Sequence, residues 1–260
     1  MIPRAARGAA MAALLLLPTC DETPGGEPIG NRTSADVADN AGPISFVGRQ
    51  DAVFETGRAA GTIRLADLAG IPNLYALGAA ADLDGEVTIL NSQPFTSRVR
   101  GANGEYVVSD TLEGMAIFLA WAELADFREV PVPSSVADYA ALGQFIRTTA
   151  DEHGLDADMP VAFLLRGVPA EMVWHINVDR TDGQPIDREL FRKSKEFYEL
   201  QGEEIEAFGV YSEHHGGVFM TPGSTLHMHF ASHDSQATGH IDAIVPGDGL
   251  TLLLPTNPGS

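Results

Sequence analysis

The chain predicts an α+β fold, with large mixed β-sheets and few helices, on three observations. Its 260 residues are 44% hydrophobic and 20% charged, a globular balance with enough apolar mass for a sizeable core. Its apolar runs are mostly short and broken by Gly and Pro, the mark of strands. One stretch alone combines helical apolar spacing with start and stop signals. No internal repeat interrupts this pattern.

Ordered structure is expected to begin near "ISFVGRQDAVFETG". The stretch "TIRLADLAGIPNLYALGAAADLDGEVTIL" predicts a short helix, a turn at Pro72 and a strand over 87–90. "EYVV" and "GMAIFLAWAEL" follow as strands, the second apolar enough for a central position. "SSVADYAALGQFIRTTADEHG" predicts a helix with Ser135 as N-cap and Gly154 as its stop. "PVAFLLRG" and "MVWHINV" return to strand. In the latter, Trp174, Ile176 and Val178 share one face, and His175 and Asn177 the other. "RELFRKSKEFYEL" reads as a short helix or an ordered loop, and 208–254 as strands cut by Gly and Pro.

The formal net charge is −20, with only 16 Lys and Arg. Such a surface repels phosphate backbones and anionic headgroups, which argues against nucleic-acid partners. At the N-terminus, Arg4 and Arg7 precede "AAMAALLLLPTC", too short for a permanent membrane span. The run ends at Cys20, the only cysteine, and a polar Gly/Pro-rich tether over 21–44 follows. This pattern resembles a bacterial lipoprotein signal, although Pro18 and Thr19 replace its small residues. Residues 1–20 are expected to direct export, to the periplasm or onto a lipid anchor at Cys20. With that cysteine removed or acylated, no disulfide can staple the fold.

Four of the eight histidines fall within "LHMHFASHDSQATGH". On a strand, His227 and His229 share one face about 7 Å apart, while Leu226, Met228 and Phe230 take the other. His240 follows a polar stretch with turn character and can return beside the pair. Three neutral imidazoles plus water make an open catalytic zinc site. A bare His-x-His pair is more often just hydrogen-bonded or exposed; the third histidine brings the metal reading level with that one.

The stretch "GVYSEHHGGVFMTPGSTLHMHFASHDSQATGHIDAI" resembles the C-terminal signature of the acetolactate decarboxylase family. The His-x-His-x10-His spacing of His227, His229 and His240 is similar to that family's zinc ligands. "LDGEVTI" at 83–89 resembles its "LDGE" strand entry, which points to Glu86. "TIRLADL" and "WHINVD" also fall in family order, so the resemblance spans roughly 45–250. It implies a two-subdomain domain over 45–254, with a boundary near 170–200 and a tail over 255–260. It further implies Zn2+, a small-molecule carboxylate substrate, a homodimer, and decarboxylation of 2-hydroxy-2-methyl-3-oxobutanoate to acetoin. Glu86 is then the proton donor beside the metal; otherwise it is a solvated turn glutamate after Gly85.

Two departures stand out. The family's strand arginine corresponds to Asn177, and "LTLLLPTNPGS" lacks its C-terminal carboxylate. Arg180 is three residues on and points to the opposite face of a regular strand. A basic residue from "RELFRKSK" folding over the site is the better replacement. Arg180, Arg188, Arg192, Lys193 and Lys195 attract a small carboxylate, or else form a solvated charged face. Asp242, two after His240, could orient an imidazole. His214, His215 and His233 are candidate surface or outer groups. Two other readings stay open: a cupin-like metal oxygenase, for which only Asp234 sits near the needed acid position, and a non-catalytic exported binding protein.

Overall fold

The computed structural model describes residues 38–256, so the expectations for residues 1–37, including Cys20, lie outside the described residues. The first sheet contains β1 (Asp39–Ala41), β2 (Ile44–Val47), β3 (Ile63–Arg64), β4 (Leu74–Ala80), β5 (Glu86–Leu90), β6 (Gln93–Val99), β7 (Tyr106–Ser109) and β8 (Met115–Glu123). Its order is β1-β2-β8-β4-β5-β6-β7, with β3 also on β8. The second contains β9 (Phe127–Pro131), β10 (Val161–Gly167), β11 (Glu171–Asn177), β12 (Lys195–Leu200), β13 (Ile205–Tyr211), β14 (Leu226–Ser232), β15 (Thr238–Val245) and β16 (Leu250–Pro255). Its order is β12-β11-β15-β14-β13-β10-β16-β9. Among the described residues three α-helices accompany them: α1 (Ala52–Thr56), α2 (Tyr139–Glu152) and α3 (Arg188–Lys193).

The α+β class stands, but the expected mixed pairing does not. Every ladder between these strands is antiparallel. Neighbours joined by short turns must run antiparallel. The long helical connection through α2 joins β9 to β10, and these are not ladder neighbours. The chain passes from the first sheet to the second between β8 and β9. β1 also places regular structure inside the stretch expected to be tether.

The sheets pack face to face through Tyr75, Leu77 and Phe118 of the first and Leu164, Phe208 and Val210 of the second. The outer face of the second sheet is covered by α2, through Leu142 and Ile146 against Phe163, Trp174, Met228 and Phe230. α2 starts later than Ser135 suggests. A Val136 N–H to Pro133 carbonyl turn occupies the chain first, and the Asp138 carboxylate caps the helix at 2.8 Å from the Ala141 nitrogen. Such a cap stabilises by about 1 kcal/mol. Gly154 closes the helix at φ +80°, as expected.

β4 escaped the sequence reading because "LYALGAA" is weak in strand formers; complete burial between β5 and β8 overrides propensity. In "RELFRKSKEFYEL" a short helix is present, and past Ser194 the chain becomes β12. β11 ends at Asn177, so Val178 lies beyond it while Trp174 and Ile176 enter the outer core.

Candidate metal centre

The strict alternation of β14 sends Leu226, Met228 and Phe230 into the core beneath α2. His227 and His229 therefore face the space between the sheets, both fully buried. β15 pairs His240 directly with His229, and β11 pairs His175 directly with His240. Three imidazoles thus form one row across three adjacent strands, where direct partners hold their Cβ atoms about 5 Å apart. Gly239 keeps this row tight, because a Cβ there would lie 2.6 Å from the His175 carbonyl oxygen and 2.8 Å from the Trp174 ring.

Glu86 comes from the facing sheet. Asp82 and Leu83 adopt positive φ, and Gly85 sits at φ +125°, where a Cβ would strike the Ser97 carbonyl oxygen at 2.0 Å. That turn delivers Glu86 buried at the start of β5. Its carboxylate oxygens lie 3.7 Å from His175 Nε2 and 3.7 Å from His229 Nε2.

The hydrogen bonds decide which ring nitrogens carry protons. His227 Nδ1 lies 2.5 Å from the Phe219 carbonyl, and His229 Nδ1 lies 2.9 Å from the Val87 carbonyl. A carbonyl only accepts, so both Nδ1 atoms are protonated and both Nε2 atoms expose lone pairs. Burial pushes His227 down to about 4 and His229 and His240 well below the ordinary imidazole range, with neighbouring imidazoles adding to the latter two. These rings are neutral at pH 7. His227 Nε2 and His229 Nε2 nevertheless stand 3.2 Å apart, with no proton to share. Two lone pairs at that distance repel unless a cation lies between them. His240 completes the trio, whose ligand atoms all lie within 4.8 Å of one another. The donor set fits a divalent metal of the zinc class.

Burial also drives the Glu86 carboxyl well above its usual range, against the opposing pull of the Lys195 charge and the Asn177 backbone N–H. Asn177 is buried, and its side-chain oxygen has no hydrogen-bond partner among the described residues. Glu86, His175, Asn177, Lys195, His227 and His240 all line one cavity of about 30 Å³. That is room for about one water.

Of the five basic residues singled out in the sequence, Lys195 alone reaches this cavity. Arg180 bonds outward to Glu196 and to the Lys193 and Lys195 carbonyls. Lys193 pairs with Glu189, Arg188 lies over the Phe54 ring, and Arg192 bonds the Arg188 carbonyl. His233 lines a separate cleft of about 280 Å³ with Arg166 and Glu206. His214 is exposed, and His215 stacks on Phe219 behind His227. Asp234, the acid a cupin site would need, caps an exposed turn by accepting from Ser232. Asp242 accepts from His175 Nδ1 at 2.6 Å. The sequence reading missed His175 as a site residue, although it shares a strand face with Asn177.

A family model described as Alpha-acetolactate decarboxylase matches residues 52–252. Among solved structures, the chain is similar to an alpha-acetolactate decarboxylase from Bacillus subtilis strain 168. The two are 13% identical over 84% of this chain and 89% of that one, with a TM-score of 0.65. It is also similar to a Staphylococcus aureus protein of unknown function that is itself similar to alpha-acetolactate decarboxylase. There the identity is 15% over 81% and 84% of the two chains, with a TM-score of 0.64. At these identities the structural likeness is one of fold. No curated protein matches the chain.

Proposed function

Since the chain belongs to the alpha-acetolactate decarboxylase family and is a carboxy-lyase, we propose that its histidine centre carries out a zinc-dependent decarboxylation of 2-acetolactate to acetoin. The observation that carries this reading is the 3.2 Å approach of two unprotonated nitrogens, His227 Nε2 and His229 Nε2, beside the buried Glu86. His227, His229 and His240 would hold the metal. Bound there, zinc supplies a Lewis acid that stabilises negative charge on the hydroxyl and ketone oxygens of a 2-hydroxy-3-oxo acid.

The remaining steps fall to the chain's own groups. The bond between the carboxylate and C2 breaks, CO2 leaves, and its electron pair stays behind as an enediolate. Glu86, whose carboxyl burial shifts upward and so helps to retain its proton, gives that proton to the carbon and yields acetoin. Solvent then returns the proton to Glu86. The Lys195 ammonium attracts and holds the substrate carboxylate at the cavity. The Asn177 side-chain oxygen is free to accept from the substrate hydroxyl. Phe118 and Phe191 close the cavity wall and help keep bulk water out.

Metal analysis combined with an acetoin and CO2 assay tests the reading. Protein stripped by a chelator should lose turnover, and Zn2+ should restore it. Turnover that survives complete metal removal would reject it. Export, either periplasmic or lipid-anchored at Cys20, and assembly as a homodimer belong to the same proposal. The residues around Cys20 support the first, and the resemblance alone supports the second.

A further inference from the structure

We propose that Phe191 decides which substrates this site admits. Carried on α3 by the strap over 178–194, its ring swings aside to let a 2-hydroxy-3-oxo acid in. Once back, it leaves room on C2 for short alkyl groups only. The inference rests on the decarboxylase reading above and names the size class of its substrate.

A mismatch of size is the first support. The cavity beside the histidines holds about 30 Å³, room for about one water. Sites for small organic molecules run to roughly 300–1,000 Å³. 2-Acetolactate is several times larger than a water, so one wall has to yield. Most of the lining residues sit on strands; off the strands are Gln50, Thr221 and Phe191. Gln50 and Thr221 belong to loops zipped together by Gln50 N–H to the Val218 carbonyl and Asp51 N–H to the Gly217 carbonyl, both at 2.9 Å. Phe191 is left as the wall that can move.

The way the strap is held is the second support. β11 and β12 are antiparallel ladder neighbours, which a loop of about two to five residues would join. Residues 178–194 join them instead. The base of this strap is pinned. Val178 N–H donates to the Ser194 carbonyl at 3.1 Å, and Arg180 grips the Lys193 and Lys195 carbonyls. Between the pins the hold is slight, and α3 has no buried residue. Ile186 is buried and donates its N–H to the Gly57 carbonyl at 3.0 Å. Phe191 meets the Phe54 ring edge-on at 5.4 Å, and Arg188 lies over that ring. Beside these contacts is a cleft of about 540 Å³, lined by Asp179, Thr181, Gln184 and Ile186 of the strap and by Thr56 and Asp82 opposite. The strap therefore spans a hollow instead of a packed core. Few buried apolar contacts mean a low cost of local opening, so its middle can move while its ends stay fixed.

The chemistry of the wall fits the same motion. The Lys195 ammonium stands 5.7 Å from the centre of the Phe191 ring. Moving the ring aside uncovers the cation that draws in the carboxylate. Returning it shuts out water and presses an aromatic face against the bound acid. A methyl group on C2 is small enough for that space. Each further methylene works against the ring, and one methylene in an apolar pocket changes kcat/KM by about 10–200-fold.

The test takes the purified full chain loaded with Zn2+ and measures kcat/KM, read as CO2 release. The two substrates are 2-acetolactate and its homologue with propyl in place of methyl at C2. The wild type should favour the methyl acid by at least about 10-fold. Phe191→Ala should erase or invert that preference. Phe191→Leu, a milder change should the first variant fold poorly, should shift it the same way by several-fold. A ratio of two substrates is blind to folded fraction and to metal content, so a merely structural role for Phe191 would leave it unmoved. Amide hydrogen exchange gives a second readout. Ile186 and Phe191 should exchange much faster than the ladder between β11 and β12, and slow down when the non-reacting 2,3-dihydroxy-2-methylbutanoate is added. An unchanged ratio in both variants overturns the proposal, as does a strap that exchanges as slowly as the ladder. A wild type that takes both acids equally well overturns it too. No CO2 from either acid would reject the decarboxylase reading and this inference with it, which separates the two failures.

Discussion

Lys195 is the direct ladder partner of Asn177 across β11 and β12. Direct partners in an antiparallel pair project to the same face. The cation that the family resemblance leads one to expect at position 177 thus has a counterpart one strand away, lining the same cavity. Lys195 makes no ion pair among the described residues and rests 5.7 Å from the centre of the Phe191 ring.

Replacing Lys195 with Met should weaken the grip on the substrate carboxylate while leaving zinc in place. A hydrogen bond to a charged group contributes about 1.5–3 kcal/mol. At roughly 1.4 kcal/mol per tenfold, kcat/KM should fall about 10- to 100-fold. Steady-state kinetics at matched zinc content checks this, and an unchanged value would remove Lys195 from the site.

Asn177→Arg should impair the wild-type chain, because a second cation crowds Lys195 and adds volume to a cavity of about 30 Å³. The same change should partly rescue Lys195→Met. A double-mutant cycle reads the coupling between the two positions. Improvement by Asn177→Arg in the wild-type background would show that Lys195 does not fill the role.

Glu86→Gln keeps the side-chain shape but removes the transferable proton. Turnover should drop by about 10²–10⁴, with zinc retained. Normal rates in a zinc-loaded Gln variant would leave Glu86 a packing role only.

His240→Ala should strip most of the zinc, whereas His233→Ala should keep it, since His233 lies in another cleft. Metal content after gel filtration distinguishes the two variants. Full occupancy in His240→Ala contradicts the ligand assignment.

The metal-free chain should lose stability on acidification. Burial lowers His227 from 6.5 to about 4. Between those values the unfolded chain binds the proton and the folded chain does not, so stability rises with pH across that window. His229 and His240 shift in the same direction. Melting of apo-protein at pH 7 and pH 5 should show a clear drop at the lower pH; equal melting temperatures would contradict buried neutral imidazoles.

Much of the site is legible in the residues alone. Period-two alternation in "LHMHF" aims two histidines away from the core, and the turn before His240 brings it back alongside. Lys195 and His175 are harder to assign, because their places depend on ladder register and on a bulge at 173/174. Register between distant segments leaves no local trace. β4 is hidden for a related reason: its Ala and Gly residues become a strand only when β5 and β8 enclose them. The tight Gly85 turn, by contrast, is announced by "LDGE" itself.

The trio His227, His229 and His240 rides on one sheet, and Glu86, the proposed proton donor, rides on the other. The registration between them near the centre rests on a few links, among them His229 Nδ1 to the Val87 carbonyl and Thr238 to Thr88 at 3.0 Å. Holding the ion and finishing the reaction are consequently separable properties with separate tolerances. Mild heat or low denaturant that lets the sheets slide should silence turnover while zinc is still bound. The inactivated protein would then recover on cooling without added metal.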